Sequence, residues 1–108
     1  MKVKTYYKIK GHVFGNYWGG GKGVYKSESY EGDNLEKLME EIKYDLATGR
    51  LDSGMGYESL IGAILQIETI ETIIVKGKKY SNSDYYIEFI GELTEEEEEL
   101  LIDVLDYN

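Results

Sequence analysis

A chain of 108 residues has the length of one domain and can bury one core without staples. Having no cysteine, it has no disulfide framework, zinc–cysteine site or thiol nucleophile. Its formal charge of −9 repels nucleic acid and suits basic partners, and no run approaches the roughly 20 apolar residues of a membrane span.

The charge is unevenly distributed. Residues 1–27 carry six lysines and no acid, whereas residues 28–108 carry six bases and all twenty-one acids. From Lys2 to Phe14 the chain alternates. Val3, Thr5, Tyr7, Ile9 and Val13 share one face, and Lys2, Lys4, Tyr6, Lys8, Lys10 and His12 share the other. A period of two predicts a half-buried strand with a solvated lysine face, on which His12 is an exposed strand histidine. The opening residues do not read as a signal peptide.

Phe14 to Tyr25 holds five of the thirteen glycines and the one tryptophan. Four glycines in five residues (Gly19, Gly20, Gly21, Gly23) are costly to order, and they put Tyr17 and Trp18 at a hairpin tip. Aromatic rings at a tip suit insertion into a partner's groove. The plainer reading is a loop with one ring folded back on the sheet. Val24 to Tyr30 resumes an extended pattern, so residues 2–30 are expected to form a long hairpin.

Asp33 followed by Glu36 has capping-box spacing and predicts a helix start. Leu35, Leu38, Met39, Ile42 and Leu46 then form one apolar stripe, with Gly49 as the stop. Arg50 to Glu58 reads as a second glycine-containing loop, and it lacks the acids of a calcium-binding loop. Residues 57–66 fit either a helix or a strand. Gly62 and the isoleucines favour a bent strand, with a bulge where apolar parity switches between Ile67 and Ile70. Lys76-Gly77-Lys78 is a tight turn. Lys79 to Leu93 returns as a strand with Tyr85, Ile87 and Phe89 on one face and a bulge or loop at Asn82-Ser83-Asp84.

Thr94 and Glu97 form a second capping box, and Glu95 to Glu99 sit where the helix dipole favours negative charge. Leu100, Leu101, Val104 and Leu105 supply the apolar stripe of this helix. The order ββαββα predicts a single α+β domain over residues 1–108. It is an antiparallel sheet of about four strands with two helices on one face and tyrosines on the partly solvated other face.

The chemistry of catalysis is poorly represented. The one histidine has no cysteine to pair with, and no serine lies in a nucleophile motif. Around Lys22 the Walker spacing fails, because Asn16 stands five residues before Gly21 and Gly23 follows Lys22. No carboxylate pair is marked out for acid–base work, and neither a metal nor a cofactor is expected. Binding is the better class. Acidic helix faces, with Glu36, Glu40 and Glu41 on the first helix and Glu95, Glu96, Glu98, Glu99, Asp103 and Asp106 on the second, imitate a phosphate array.

A short chain without cysteine or proline, with these acidic helices and an aromatic glycine loop, resembles small phage-borne inhibitors of bacterial defence systems, including anti-CRISPR and DNA-mimic proteins. The resemblance rests on size, charge and composition. It implies a non-enzymatic inhibitor in the cytoplasm of a bacterial host that docks on a basic protein surface. The partner would be a CRISPR-associated or other defence nuclease complex, with no direct nucleic-acid or membrane binding. The expected contact residues are Tyr17, Trp18, Glu95, Glu96, Glu98, Glu99, Asp103 and Asp106. The alternatives are a small-ligand binder using the glycine loops, and a homo-oligomer formed through the tyrosine-rich sheet.

Overall fold

Adjacent residues in a strand point to opposite faces of the sheet, and here neighbouring apolar residues find different helices. The computed structural model describes residues 3–17, 19–48 and 57–106. Its elements run β1 (Val3–Tyr17), β2 (Lys22–Gly32), α1 (Leu35–Thr48), β3 (Tyr57–Val75), β4 (Lys78–Gly91) and α2 (Glu95–Asp106). The protein is α+β, with one four-stranded antiparallel sheet in the order β2-β1-β3-β4.

The helices do not share a face. Ile9, Leu65 and Ile67 pack with Leu38 and Ile42 of α1. Phe14 and Ile64 pack with Leu101 of α2. Ile64 and Leu65 are consecutive, and the β1–β3 register runs unbroken from Val3↔Ile73 to Phe14↔Gly62. Their side chains therefore leave opposite sides of β3, and the sheet lies between α1 and α2. The expected one-sided arrangement is corrected for this reason. Phe14 continues the lysine face of β1, and α2 covers that end of it. His12, in register with Ile64, is accordingly fully buried rather than exposed.

The α1 stripe forms as its spacing predicts: Leu38 and Ile42 are buried, and Leu35, Met39 and Leu46 pack around them. The Tyr30 hydroxyl donates to Asp45 Oδ2 at 2.7 Å and ties β2 to α1. The N-cap lies one residue later than the capping-box spacing suggests. Asn34 Oδ1 accepts from the Lys37 amide at 3.2 Å, and the Asn34 carbonyl accepts from Leu38. At α2 the reciprocal box is present. The Thr94 amide donates to Glu97 Oε1 at 2.9 Å, and the Glu97 amide donates to Thr94 Oγ1 at 3.2 Å. The predicted stop at Gly49 and most of the second glycine loop lie outside the described residues.

Residues 57–66 are strand, the first part of β3. The irregularity expected between Ile67 and Ile70 is absent. The breaks in pairing fall opposite Phe14/Gly15 and Asn16/Tyr17, where β1 is regular against β2 and β3 carries the extra residue. Ile70 and Ile74 thus lie on the α2 face without a bulge. The buried apolar residues of β3 end at Ile67, and past them the apolar residues are not held to one side. Asn82, Ser83 and Asp84 pair regularly with Glu71, Ile70 and Thr69 instead of bulging. At the β3–β4 turn, Lys76 (φ 52°) and Gly77 (φ 79°) both take the left-handed conformation that a two-residue hairpin turn requires.

Long strands and short helices leave a ribbon. The molecule measures 60 × 25 × 20 Å. Its core occupies one end, and the far ends of β1, β3 and β4 extend from it with Val3, Ile74 and Tyr80 exposed.

Candidate interaction surface on α2

Helical periodicity sorts the twelve residues of α2 into two faces. Leu101 is buried against Phe14 and Ile64, with Ile102 and Leu105 beside it. Glu95, Glu96, Glu99, Asp103 and Asp106 are exposed on the outer side. Glu98 is half-buried, and Glu97 is committed to the cap. The helix has seven carboxylates and no basic residue. Four of the acids lie in its first turn, where the free backbone amides stabilise negative charge.

Leu100 breaks the expected pattern. Its position beside Leu101 suggests a place in the apolar stripe, but it is 46% exposed. It stands one turn from Glu96 on one side and one turn from Asp103 on the other, an exposed apolar residue at the margin of the carboxylate face. The helical wheel narrows the question to two flanks, and the packing decides it. Leu100 and Ile102 flank Leu101 by about 100° on either side, and only the Ile102 flank meets the sheet.

The expected aromatic partner of this face lies elsewhere. Tyr17 ends β1 with its ring over the Cα of Gly23, so that no side chain larger than hydrogen fits at Gly23 without displacing the ring. Alternation from Val13 through Gly15 puts Tyr17 on the α1 face of the sheet, away from α2. Of the two readings of the glycine tip, the folded-back ring describes Tyr17. Trp18 lies outside the described residues. The tip is closed by two bonds, Tyr17 N–H to the Gly21 carbonyl at 3.0 Å and Gly20 N–H to the Tyr17 carbonyl at 3.1 Å. Gly20 and Gly21 have φ of 91° and 88°, so this turn needs its glycines. The Gly20 amide is thereby engaged within the loop and does not point to an anion nest there.

The lysine stripe of β1 is interleaved with acid. Lys8 pairs in register with Glu31 of β2 and Glu68 of β3, all on the α2 face. Partial desolvation, followed by the nearby Glu31 carboxylate, raises the pKa of the Tyr6 hydroxyl. An open groove of about 880 Å³ lies farther out, lined by Lys4, Tyr6, Thr72, Ile74 and Lys79. None of these residues belongs to a glycine loop. Among the described residues, no group of three or more His, Asp and Glu side chains is arranged to hold a metal ion, and no helix is long and apolar enough to cross a membrane.

Comparison of the chain with protein-family models, with curated proteins and with solved structures finds no match.

Proposed function

We propose that this protein is a non-enzymatic binding protein that docks the outer face of α2 on a basic surface of another protein. In its finer form, the reading is a phage-encoded, anti-CRISPR-like inhibitor that occupies the nucleic-acid-binding surface of a prokaryotic defence complex. The observation that carries it is the exposed leucine at the margin of the carboxylate face. Five exposed acids steer a cationic partner over a distance set by ionic strength, and Leu100 supplies a contact that excludes water once docked. Glu96, Glu99 and Asp103 form the centre of the contact, with Leu100 at one margin and Glu95, Glu98 and Asp106 at the rim. Tyr17 is not part of it, because the sheet separates it from α2.

The test compares two charge-reversed proteins. One carries Glu96→Lys, Glu99→Lys and Asp103→Lys. The other carries the same charge change on α1, as Glu36→Lys, Glu40→Lys and Glu41→Lys. Each is immobilised and offered bacterial lysate at low and high salt, and the retained proteins are identified by mass spectrometry. The reading expects a basic nucleic-acid-handling protein, released by salt, that the α1 variant keeps and the α2 variant loses. Equal capture by both variants, or capture insensitive to salt, would overturn it.

A further inference from the structure

We propose that two copies of this chain pair antiparallel along β4, on a two-fold axis through Ser83, and join their sheets into one of eight strands. β4 is an edge of the sheet and is bonded to β3 alone. Its eleven residues from Lys78 to Glu88 are all exposed. They pair with β3 without a register break, and the chain has no proline, so the outer row of N–H and C=O groups is uninterrupted. Such an edge is a ready template for another strand. The opposite edge differs. β2 carries a break in its pairing with β1 between Lys10 and His12, and α1 packs against it.

Self-complementarity selects a second copy as the occupant. An axis through Ser83 sets Tyr80 opposite Tyr86 of the second copy, and Lys78 opposite its Glu88. By two-fold symmetry each pair occurs twice, on the α1 face. On the α2 face Ser81 meets Tyr85 and Lys79 meets Ile87. Aromatic pairs and opposite charges across antiparallel strands stabilise, whereas like charges oppose pairing. Moving the axis to Asp84 sets that carboxylate against itself. Moving it to Asn82 loses both the tyrosine pair and the lysine–glutamate pair. Tyr80, Tyr85, Tyr86 and Ile87 are 56%, 62%, 45% and 44% exposed, so the apolar area that pairing would cover is open in the single chain. The pairing also gives the projecting hairpin a neighbour, because its Lys78 end would lie beside the partner's core end.

The natural absence of cysteine makes the test direct, since a disulfide in a single-cysteine variant can only join two chains. Ser83→Cys would place the two sulfurs across the axis, and Ser81→Cys would place them off it. Light scattering is expected to give the mass of two chains for the unaltered protein. Under mild oxidation Ser83→Cys is expected to cross-link at least about tenfold faster than Ser81→Cys, because disulfide geometry tolerates only close, facing Cβ atoms. A single-chain mass across the micromolar range would overturn the proposal. So would a dimer in which the two variants cross-link equally, which would locate the contact elsewhere.

Discussion

The Tyr85 hydroxyl donates to Glu68 Oε2 at 2.8 Å, across a directly opposed pair of β4 and β3. Glu68 is also in register with Lys8, and Lys8 with Glu31, so one row crosses all four strands on the α2 face. The bond to Glu68 holds the Tyr85 proton and raises its pKa. Partial desolvation does the same for Tyr6 and Tyr86, with Glu31 and Glu88 next in importance. Each phenol thus keeps its proton to higher pH in the folded chain than in the unfolded one, where tyrosine titrates near 10. Between those values the native state binds more protons, so stability falls as pH rises. The contribution is complete below about pH 10 and is lost as pH climbs through the raised values. Thermal melts from neutral to alkaline pH should show this decline. In Tyr85→Phe the decline should be shallower, because the variant is already less stable at neutral pH and meets the unaltered protein at high pH. An identical alkaline decline would remove Tyr85 from the account.

Gly91 and Gly62 are opposed where the chain leaves β4 for α2. Gly91 has φ of 94°, and a Cβ there would press on the Ile61 carbonyl and Gly62 Cα. Gly20 has a similar φ, but open space surrounds it. Gly20→Ala therefore meets backbone strain alone, and Gly91→Ala meets strain plus collision. The expected losses are roughly 1 kcal/mol for the first and 2–4 kcal/mol for the second. Denaturant midpoints with unchanged slopes would measure both. Equal losses would mean that the strands separate freely at Gly91.

The two helix starts make a paired prediction about caps. Thr94→Ala removes a side chain that accepts from the Glu97 amide and should cost about 1 kcal/mol. Asn34→Ala should cost a similar amount, because its Oδ1 accepts from the Lys37 amide. Asp33→Ala should change stability by less than about 0.5 kcal/mol, since Asp33 stands outside the cap. A larger loss at Asp33 than at Asn34 would reverse the assignment.

The uneven legibility of the sequence has physical causes. The α1 stripe and the capping box at Thr94 are local patterns, and they form as their spacing indicates. Two adjacent Asx residues precede α1, and the acid three residues after Asp33 drew the cap to the wrong one. The second buried face was harder to read. Its strand residues are Phe14, Ile64 and Phe89, and Phe14 ends a row that begins with lysines. Alternation along β1 alone assigns that row to solvent. Only the register with β3 shows that its last third lies under α2. The exposed Leu100 was hidden for the same reason, since a helical wheel cannot say which flank of Leu101 meets the sheet.

The separation of the helices by the sheet can be tested through two adjacent residues of β3. Ile64 and Leu65 are both buried, at 0% and 1% exposure, but Ile64 supports α2 and Leu65 supports α1. Truncation of either to alanine should cost about 2–5 kcal/mol overall, as other large-to-small core changes do. Local effects should differ. In Ile64→Ala, native-state hydrogen exchange should lose protection first in α2, around Leu101 and Leu105. In Leu65→Ala the loss should fall on α1, around Leu38 and Ile42. Cooperative opening of each helix with its own face is what two separate packing layers require. Equal loss in both helices from either change would show that they rest on one shared core, and the sheet would not be the partition between them.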